Sequence, residues 1–407
     1  MAPQVLASKP LLPPRRRRFP WRGALVAALV LVAVRLLLLE SLVVASGSME
    51  PLLHGDPVTG DHVLVVRHAW RLRAPQRFDL VVFERDAEDA RANERVVVKR
   101  VAAVGGESVR IAAGELFVRA AGGAEAPVVK RYTEFRELLV PLWREPFDDT
   151  SLGRLVPLDA GRVELRAGEL VLDGSGPGVV SGIELAGEAV AFDDGWLAAD
   201  GTQHSGRNRV ADLCFALDVV AEDATTCIGF EFALAEHRCE LIAQPIAGVW
   251  RIDLVVTDRT GDSARATWSG TASPVAVGSS QRFEFWHVDG GIGAAIDGVV
   301  ALEERLDRRS DLVFAGSDLG APTIKIRNGR ARLLGCEVLR DLHWTAPSDA
   351  LYGCGAEACE VPEGRLFVLG DASDQSIDSR HYGTVAVAAL RGRPLLVWRP
   401  TVRWRLL

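Results

Sequence analysis

The sequence predicts a mainly β protein: an N-terminal membrane helix, then an all-β module interrupted by a β-sandwich insert. Three observations carry this. A long apolar stretch comes after a run of arginines near the start. Short segments rich in β-branched residues, separated by Gly and Asp turns, fill most of the remaining chain. Helical periodicity is almost absent from the later part of the chain.

At 407 residues the chain is too long for one ordinary domain. It divides into a basic tail (1–22), a transmembrane helix (23–45), a first part of the β-module (46–147), an inserted sandwich (148–340) and a second part of the module (341–407). A net charge of −7 argues against nucleic acid as a partner. The clustered basic residues are Arg15 to Arg18, directly before the apolar stretch. Gly23 to Ser46 is dominated by Ala, Val and Leu and meets the roughly 20 residues that a bilayer crossing takes. Arg35 and Glu40 interrupt it; a long arginine snorkels, and Glu40 lies near the outer end. A cleaved secretory signal shares the basic start, but its apolar part is shorter, and no small-x-small site precedes Ser48 without landing on the next motif. The arginines put the N-terminus in the cytoplasm and the β-module outside.

In the module, His62–Val66, Leu80–Phe83, Val96–Val101 and Ser108–Ile111 read as strands, with Gly105-Gly106 as a turn. In the insert, Cys214–Val220, Phe230–Leu234, Trp250–Val256, Phe283–Val288 and Thr323–Ile326 alternate in the same way. Asp289-Gly290-Gly291 and Asp297-Gly298 are hairpin signals. Regularly spaced strands of this kind indicate a sandwich. The six cysteines, Cys214, Cys227, Cys239, Cys336, Cys354 and Cys359, admit disulfides, with Cys354 and Cys359 flanking a short loop. They equally admit buried thiols, and zinc less readily, because no CxxC pair or adjacent histidine supports it. No metal spacing, Walker loop or dinucleotide fingerprint occurs, and no cofactor is expected.

Three segments carry chemistry. Ser46-Gly47-Ser48-Met49-Glu50-Pro51 comes directly after the apolar stretch. Val96-Val97-Val98-Lys99-Arg100-Val101 places Lys99 on one strand face with Val97 and Val101, and Arg100 on the opposite, exposed face. Gly370 to Arg380 reads Gly-Asp-x-x-Asp-x-Ser-x-Asp-Ser-Arg. A serine hydroxyl needs a base within hydrogen-bond reach, and a lysine serves as one when apolar burial strips its proton. Alone, a lysine in a valine-rich strand reads as a solvated edge residue, and Gly-Ser-Met reads as a linker. Their occurrence in this order is what gives them weight.

That order resembles the type I signal peptidases, membrane-bound Ser-Lys proteases that cut signal peptides from exported proteins. The resemblance covers residues 23 to about 118 and about 341 to 407, not the insert. It implies Ser48 as nucleophile and Lys99 as general base. The oxyanion would be held by the Ser48 N–H and the Ser46 hydroxyl, and Ser376 would orient the lysine. Asp378 and Arg380 would form a structural ion pair. It also implies exported preproteins as substrates, cut after small-x-small motifs such as Ala-x-Ala, and a bacterial cytoplasmic membrane as location. The chain departs from the family where Leu52 replaces the threonine after the proline, at Ala103-Val104-Gly105-Gly106-Glu107, and at Ala372, where asparagine is common. These positions bear on cleft shape rather than on the nucleophile or base.

The insert loosely resembles concanavalin/laminin-G-like sandwiches between Phe283 and Val300. It admits glycan binding, partner recruitment or a purely positioning role. Two rivals to the protease reading stand beside it. One is a self-cleaving repressor-like Ser-Lys peptidase, disfavoured by the anchor. The other is an anchored adhesion or glycan-binding sandwich with an inactive core. A serine–histidine arrangement would draw on His54, His62 or His381. The C-terminal Trp398, Trp404 and neighbouring arginines fit either a last core strand or a membrane interface.

Overall fold

The computed structural model describes residues 25, 38–85, 96–145, 147, 155–159, 162–185, 192–198, 200–234, 237–258, 264–305 and 321–407. The expected cytoplasmic tail and most of the expected membrane helix lie outside the described residues. Among the described residues no helix is long and apolar enough to cross a membrane. The end of the expected helix takes a different form: Leu39–Val43 is a strand, paired antiparallel with His62–Arg67. The edge of that sheet offers it a ladder, and Glu40 gains Arg391 as an ion partner at 2.8 Å. The segment gains a backbone ladder and an ion partner there without continuing a helix.

Two bodies of sheet make up the rest. The first carries an antiparallel sheet in the order Leu39–Val43, His62–Arg67, Leu390–Arg399, Leu80–Glu84, Val96–Val104, Arg365–Leu369, Val385–Ala386. A smaller sheet, Cys359–Glu360, Glu107–Ala112, Glu115–Ala120, Ala126–Pro127, continues from it through the turn at Gly105-Gly106. Chain segments from both ends of the sequence interleave here. The C-terminal Leu390–Arg399 lies between His62–Arg67 and Leu80–Glu84.

The second body is the sandwich. One sheet contains Val163–Arg166, Glu169–Asp173, Arg330–Arg340, Leu213–Ala221, Ser280–Val288, Gly291–Ile296 and Val299–Arg305. The facing sheet contains Ala264–Pro274, Val249–Asp258, His237–Ile246, Cys227–Leu234, Thr323–Arg327, Val180–Leu185 and Leu155–Pro157. Period-two alternation builds the layer between them: along Val249–Asp258, Trp250, Ile252, Leu254 and Val256 point inward and are buried. Phe230 and Phe285 stack from opposite sheets with centroids 5.1 Å apart. The hairpins turn where the sequence marks them. Asp289 and Gly290 (φ 52° and 71°) and Asp297 and Gly298 (φ 52° and 77°) take the paired left-handed conformations that a two-residue hairpin needs.

The sandwich's hydrogen bonding begins at Val140–Glu145, which pairs with Arg330–Arg340. The cysteines form no disulfide; Cys214, Cys239 and Cys336 are buried among the sandwich's apolar residues. Truncating Phe230, 1 % exposed between Phe215 and Phe285, empties the centre of that layer. Phe230→Ala is expected to cost about 3–5 kcal/mol, read from denaturant unfolding, and a loss under about 1 kcal/mol would contradict a packed inter-sheet core there.

Candidate active site

Lys99 lies in the middle of Val96–Val104, paired with Val81 on the neighbouring strand. Its face of the sheet is apolar: Val81, Phe83, Val97, Val101, Leu366 and Val368 form one buried cluster. The side chain is 2 % exposed. Burial lowers its pKa to about 8; the Asp378 carboxylate opposes that shift, and the Arg380 and Arg85 guanidiniums add to it. The amine is therefore readily neutral at mildly alkaline pH. Nζ donates to Ser376 Oγ at 2.9 Å.

Arg100 does not behave as the sequence suggested. It is buried, not exposed, and grips Asp371 through two bonds of 2.6 and 2.8 Å, while a third donor reaches Phe78 O. Pairing with an aspartate from the far end of the chain is what makes burial of this charge tolerable. Arg100 thereby ties the Lys99 strand to the Gly370-Asp371 loop.

Ser48 sits in a single 3-10 turn, Gly47–Met49, and is 5 % exposed. Met49 and Leu53 anchor the turn in an apolar cluster with Val63, Val65 and Leu80. Ser46 Oγ lies 3.5 Å from Ser48 Oγ. The Gly370 loop presses on the turn from the other side: Ala372 N–H donates to Ser48 O at 3.1 Å. A methyl group on Gly370 would stand 2.4 Å from Ser48 O and 2.3 Å from Ser376 Oγ. Only a glycine admits this approach, which brings the Ser48 turn, Ser376 and, through Ser376, Lys99 into one locality. The lysine's hydrogen bond runs to Ser376 rather than to Ser48.

Asp378 and Arg380 form a buried pair with bonds of 2.7 and 2.9 Å. Burial alone would push the Asp378 carboxyl up, but the Arg380 guanidinium and then the Lys99 ammonium outweigh it, and the pKa falls below the ordinary value. Asp378 also caps the short helix Ser379–Tyr382 and accepts Gly370 N–H at 3.0 Å. Arg380 spends its remaining donors on Ser373 and on Thr345 O.

Each of the three histidines near these motifs in sequence has a partner other than Ser48 or Lys99, and His381 Nδ1 accepts the Asp378 N–H of the site loop at 3.4 Å. His54 Nδ1 lies 2.8 Å from Glu50 Oε1, His62 packs edge-on against Trp398, and His381 faces Asp349 at 3.6 Å. Beside the Arg100–Asp371 pair a cavity of about 310 Å³ is lined by Pro51, Leu52, Leu138, Val140 and Trp404, so segments leading into the sandwich share a wall with the Ser48 segment. Sequence reasoning missed Arg100–Asp371 and this wall. The aspartate beside Gly370 was visible, but not its partner.

Known proteins align with this arrangement. The family described as signal peptidase, peptidase S26, matches residues 19–150 and 308–399, on both sides of most of the sandwich. A protein named probable signal peptidase I-2 from Synechocystis sp. is 30 % identical over 108 residues, 26 % of this chain and 48 % of its own length. The mitochondrial ATP-independent inner membrane protease subunit 1a of Arabidopsis thaliana is 33 % identical over 108 residues, 26 % of this chain and 62 % of its own. The chain thus spans about half to three fifths of these relatives. Among solved structures, an endo-β-1,3-glucanase from Pyrococcus furiosus superposes with a TM-score of 0.36 at 8 % identity, covering 58 % of this chain and 98 % of its own. A Bacillus subtilis protein with a galectin-like fold gives 0.35 at 12 % identity, covering 50 % and 97 %. The family match spans more than half of the sequence and includes the Ser48, Lys99 and Gly370–Arg380 segments, and the chain belongs to the signal peptidase, peptidase S26, family.

Proposed function

We propose that this protein is a membrane-anchored serine endopeptidase that removes signal peptides from exported preproteins. One observation carries the reading: a lysine buried in an apolar sheet face, with its pKa lowered to about 8, shares a hydroxyl partner with the loop that presses on a buried serine. That is the environment a lysine base requires.

In this reading Ser48 Oγ attacks the scissile carbonyl carbon while the neutral Lys99 amine takes its proton. The amine moves from Ser376 Oγ toward Ser48 Oγ once substrate is bound, since catalytic hydrogen bonds tighten in the complex. The new oxyanion accepts from the Ser48 N–H and from the Ser46 hydroxyl, whose place beside Ser48 Oγ suits an oxygen bound there. Collapse breaks the C–N bond, and the Lys99 ammonium returns its proton to the leaving amine of the mature protein. A water, deprotonated by Lys99, then hydrolyses the ester to Ser48 and releases the signal peptide. Ser376 holds the amine, and Asp378 with Arg380 fixes the loop that holds Ser376. The substrate would be an extended segment with small side chains at two alternate positions, of the Ala-x-Ala type, docking by strand addition. The apolar residues from Gly23 up to the Leu39–Val43 strand would anchor the enzyme in a bacterial cytoplasmic membrane with the sheets outside.

Cleavage of a detergent-solubilised preprotein with an Ala-x-Ala site tests this. Ser48→Ala and Lys99→Ala are expected to lower kcat by about 10³ or more, and His381→Ala by less than about twofold. Activity surviving Lys99→Ala would remove the proposed base, and no cleavage by folded wild type would favour an anchored binding protein. The rate should rise with pH around a midpoint near 8, since the active form is the neutral amine.

Stability should move the other way from activity in one variant. The folded-state pKa of Lys99, about 8, lies below its ordinary 10.5, so the cost of burying its charge is fully present below pH 8 and is relieved as pH rises toward 10.5. Lys99→Met is therefore expected to raise the unfolding midpoint at pH 7 while abolishing cleavage, with the gain shrinking as pH rises from about 8 to 10.5. A lower midpoint at pH 7 would contradict the burial cost.

A further inference from the structure

Two of the six cysteines lie side by side on one edge of the smaller sheet. Glu107–Ala112 has Glu115–Ala120 on one side and Cys359–Glu360 on the other. On that second side Cys359 stands opposite Val109, and Cys354 stands opposite Ile111 in a parallel bridge. Ile111 N–H donates to Gly353 O at 2.7 Å, which fixes Cys354 at that place. Gly355, at φ 78°, lets the chain turn back between the two cysteines. Val109 and Ile111 are two positions apart on a strand, so their side chains share a face, and the cysteines opposite them share it too. Both thiols accordingly pack against the apolar cluster that contains Val109 and Ile111.

Two positions along a strand span roughly 6.6 Å. That brings the two Cα atoms to a separation that a disulfide bridges, about 4.4–6.8 Å. Both thiols are free in this structure, and both residues are half-buried, so a small oxidant reaches them. Cys214, Cys239 and Cys336 are buried, and Cys227, the other half-buried one, stands opposite Arg327.

The segment leading into Cys354 touches the candidate site. Leu351 N–H and Tyr352 N–H both donate to Arg380 O, at 2.7 and 3.0 Å. Arg380 pairs with Asp378 in the loop that carries Ser376, the partner of Lys99. Residues 351–354 are therefore a short strap from the site loop to the smaller sheet.

We propose that Cys354 and Cys359 are a redox pair whose disulfide staples this strap, and with it the loop carrying Ser376, Asp378 and Arg380, to the smaller sheet. From the proposed function this takes only an outer, oxidising side of the membrane, where the oxidant is a disulfide that undergoes thiol exchange. One thiolate of the pair attacks a sulfur of that disulfide and expels its first thiolate. The second thiolate of the pair then displaces the remaining oxidant sulfur. The Cys354 Sγ–Cys359 Sγ bond forms, the oxidant's S–S bond breaks, and two electrons and two protons end on the oxidant as two thiols.

The test uses the full chain in detergent, reduced, desalted, incubated with oxidised glutathione, then alkylated and digested with trypsin. The peptide Asp341–Arg365 holds both cysteines and no internal Lys or Arg. It is expected unalkylated and two hydrogens lighter than its reduced form, with Cys227 alkylated or carrying glutathione. Both cysteines of that peptide alkylated, or each carrying its own glutathione, would overturn the pair. Hydrogen exchange reads the staple's reach. Oxidation is expected to slow exchange at the Leu351 and Tyr352 amides by about tenfold or more in the wild type and to leave it unchanged in Cys354→Ser. Exchange unmoved by oxidation in the wild type, or slowed equally in the variant, would overturn the link to the site loop. None of these readouts uses cleavage, so a protein that forms the disulfide and cuts no preprotein overturns only the peptidase reading.

Discussion

The structure around the candidate site depends on one constraint, a lysine amine placed on an apolar sheet face. Valines and leucines from three strands surround Lys99, and they make its charged form costly. Among the described residues, nothing else on that face relieves the cost fully. Ser376 gives a hydroxyl, and the Asp378 carboxylate gives an opposing field that Arg380 largely claims for itself. The loop from Gly370 to Arg380 is built to keep this balance. Asp378 caps a helix, Arg380 laces the loop to Ser373 and Thr345, and Gly370 admits the Ser48 turn at a distance no side chain permits. Buried pairs of this kind add little net stability, but losing one partner strands a charge, so the loop's shape is held by the penalty for breaking it.

The sandwich interrupts this core without separating its halves. It is entered along Val140–Glu145 and left along Arg330–Arg340, and those two strands pair with each other. The chain therefore returns to where it departed. Leu138 and Val140 on the way in, and Leu342 and Trp344 on the way out, pack in one cluster with Ala102, Phe367 and Leu369 from the sheet that carries Lys99. Adjacent ends are the condition under which a large insertion is tolerated. Lys130, ion-paired with Asp289 and Asp341 of the sandwich, gives a second tie at that junction.

Much of this was legible in the sequence because it is local. Alternation alone puts Lys99 among valines, and paired Asp-Gly turns fix the hairpins at Asp289 and Asp297. Ser376, Asp378 and Arg380 are close in sequence and close in space. What was hidden is what long-range pairing decides. Arg100 looked exposed because Asp371 is 271 positions away. Leu39–Val43 looked like the end of an apolar helix because its strand partner is chosen by a sheet edge, not by its own composition. The cysteines allowed disulfides by count, yet half of them are packed among apolar side chains in the sandwich. Glu115, Asp212 and Asp289 come together only after the fold joins segments with no common motif.

The central claim is that burial in the apolar sheet face lowers the Lys99 pKa, so that the amine is readily neutral at mildly alkaline pH. The most direct measurement is an NMR titration of the lysine side chains in the detergent-solubilised protein, with the Lys99 signal assigned by its absence in Lys99→Met. The account predicts a midpoint near 8 for that signal. A midpoint of about 10.4, the value of a solvated lysine, would contradict it.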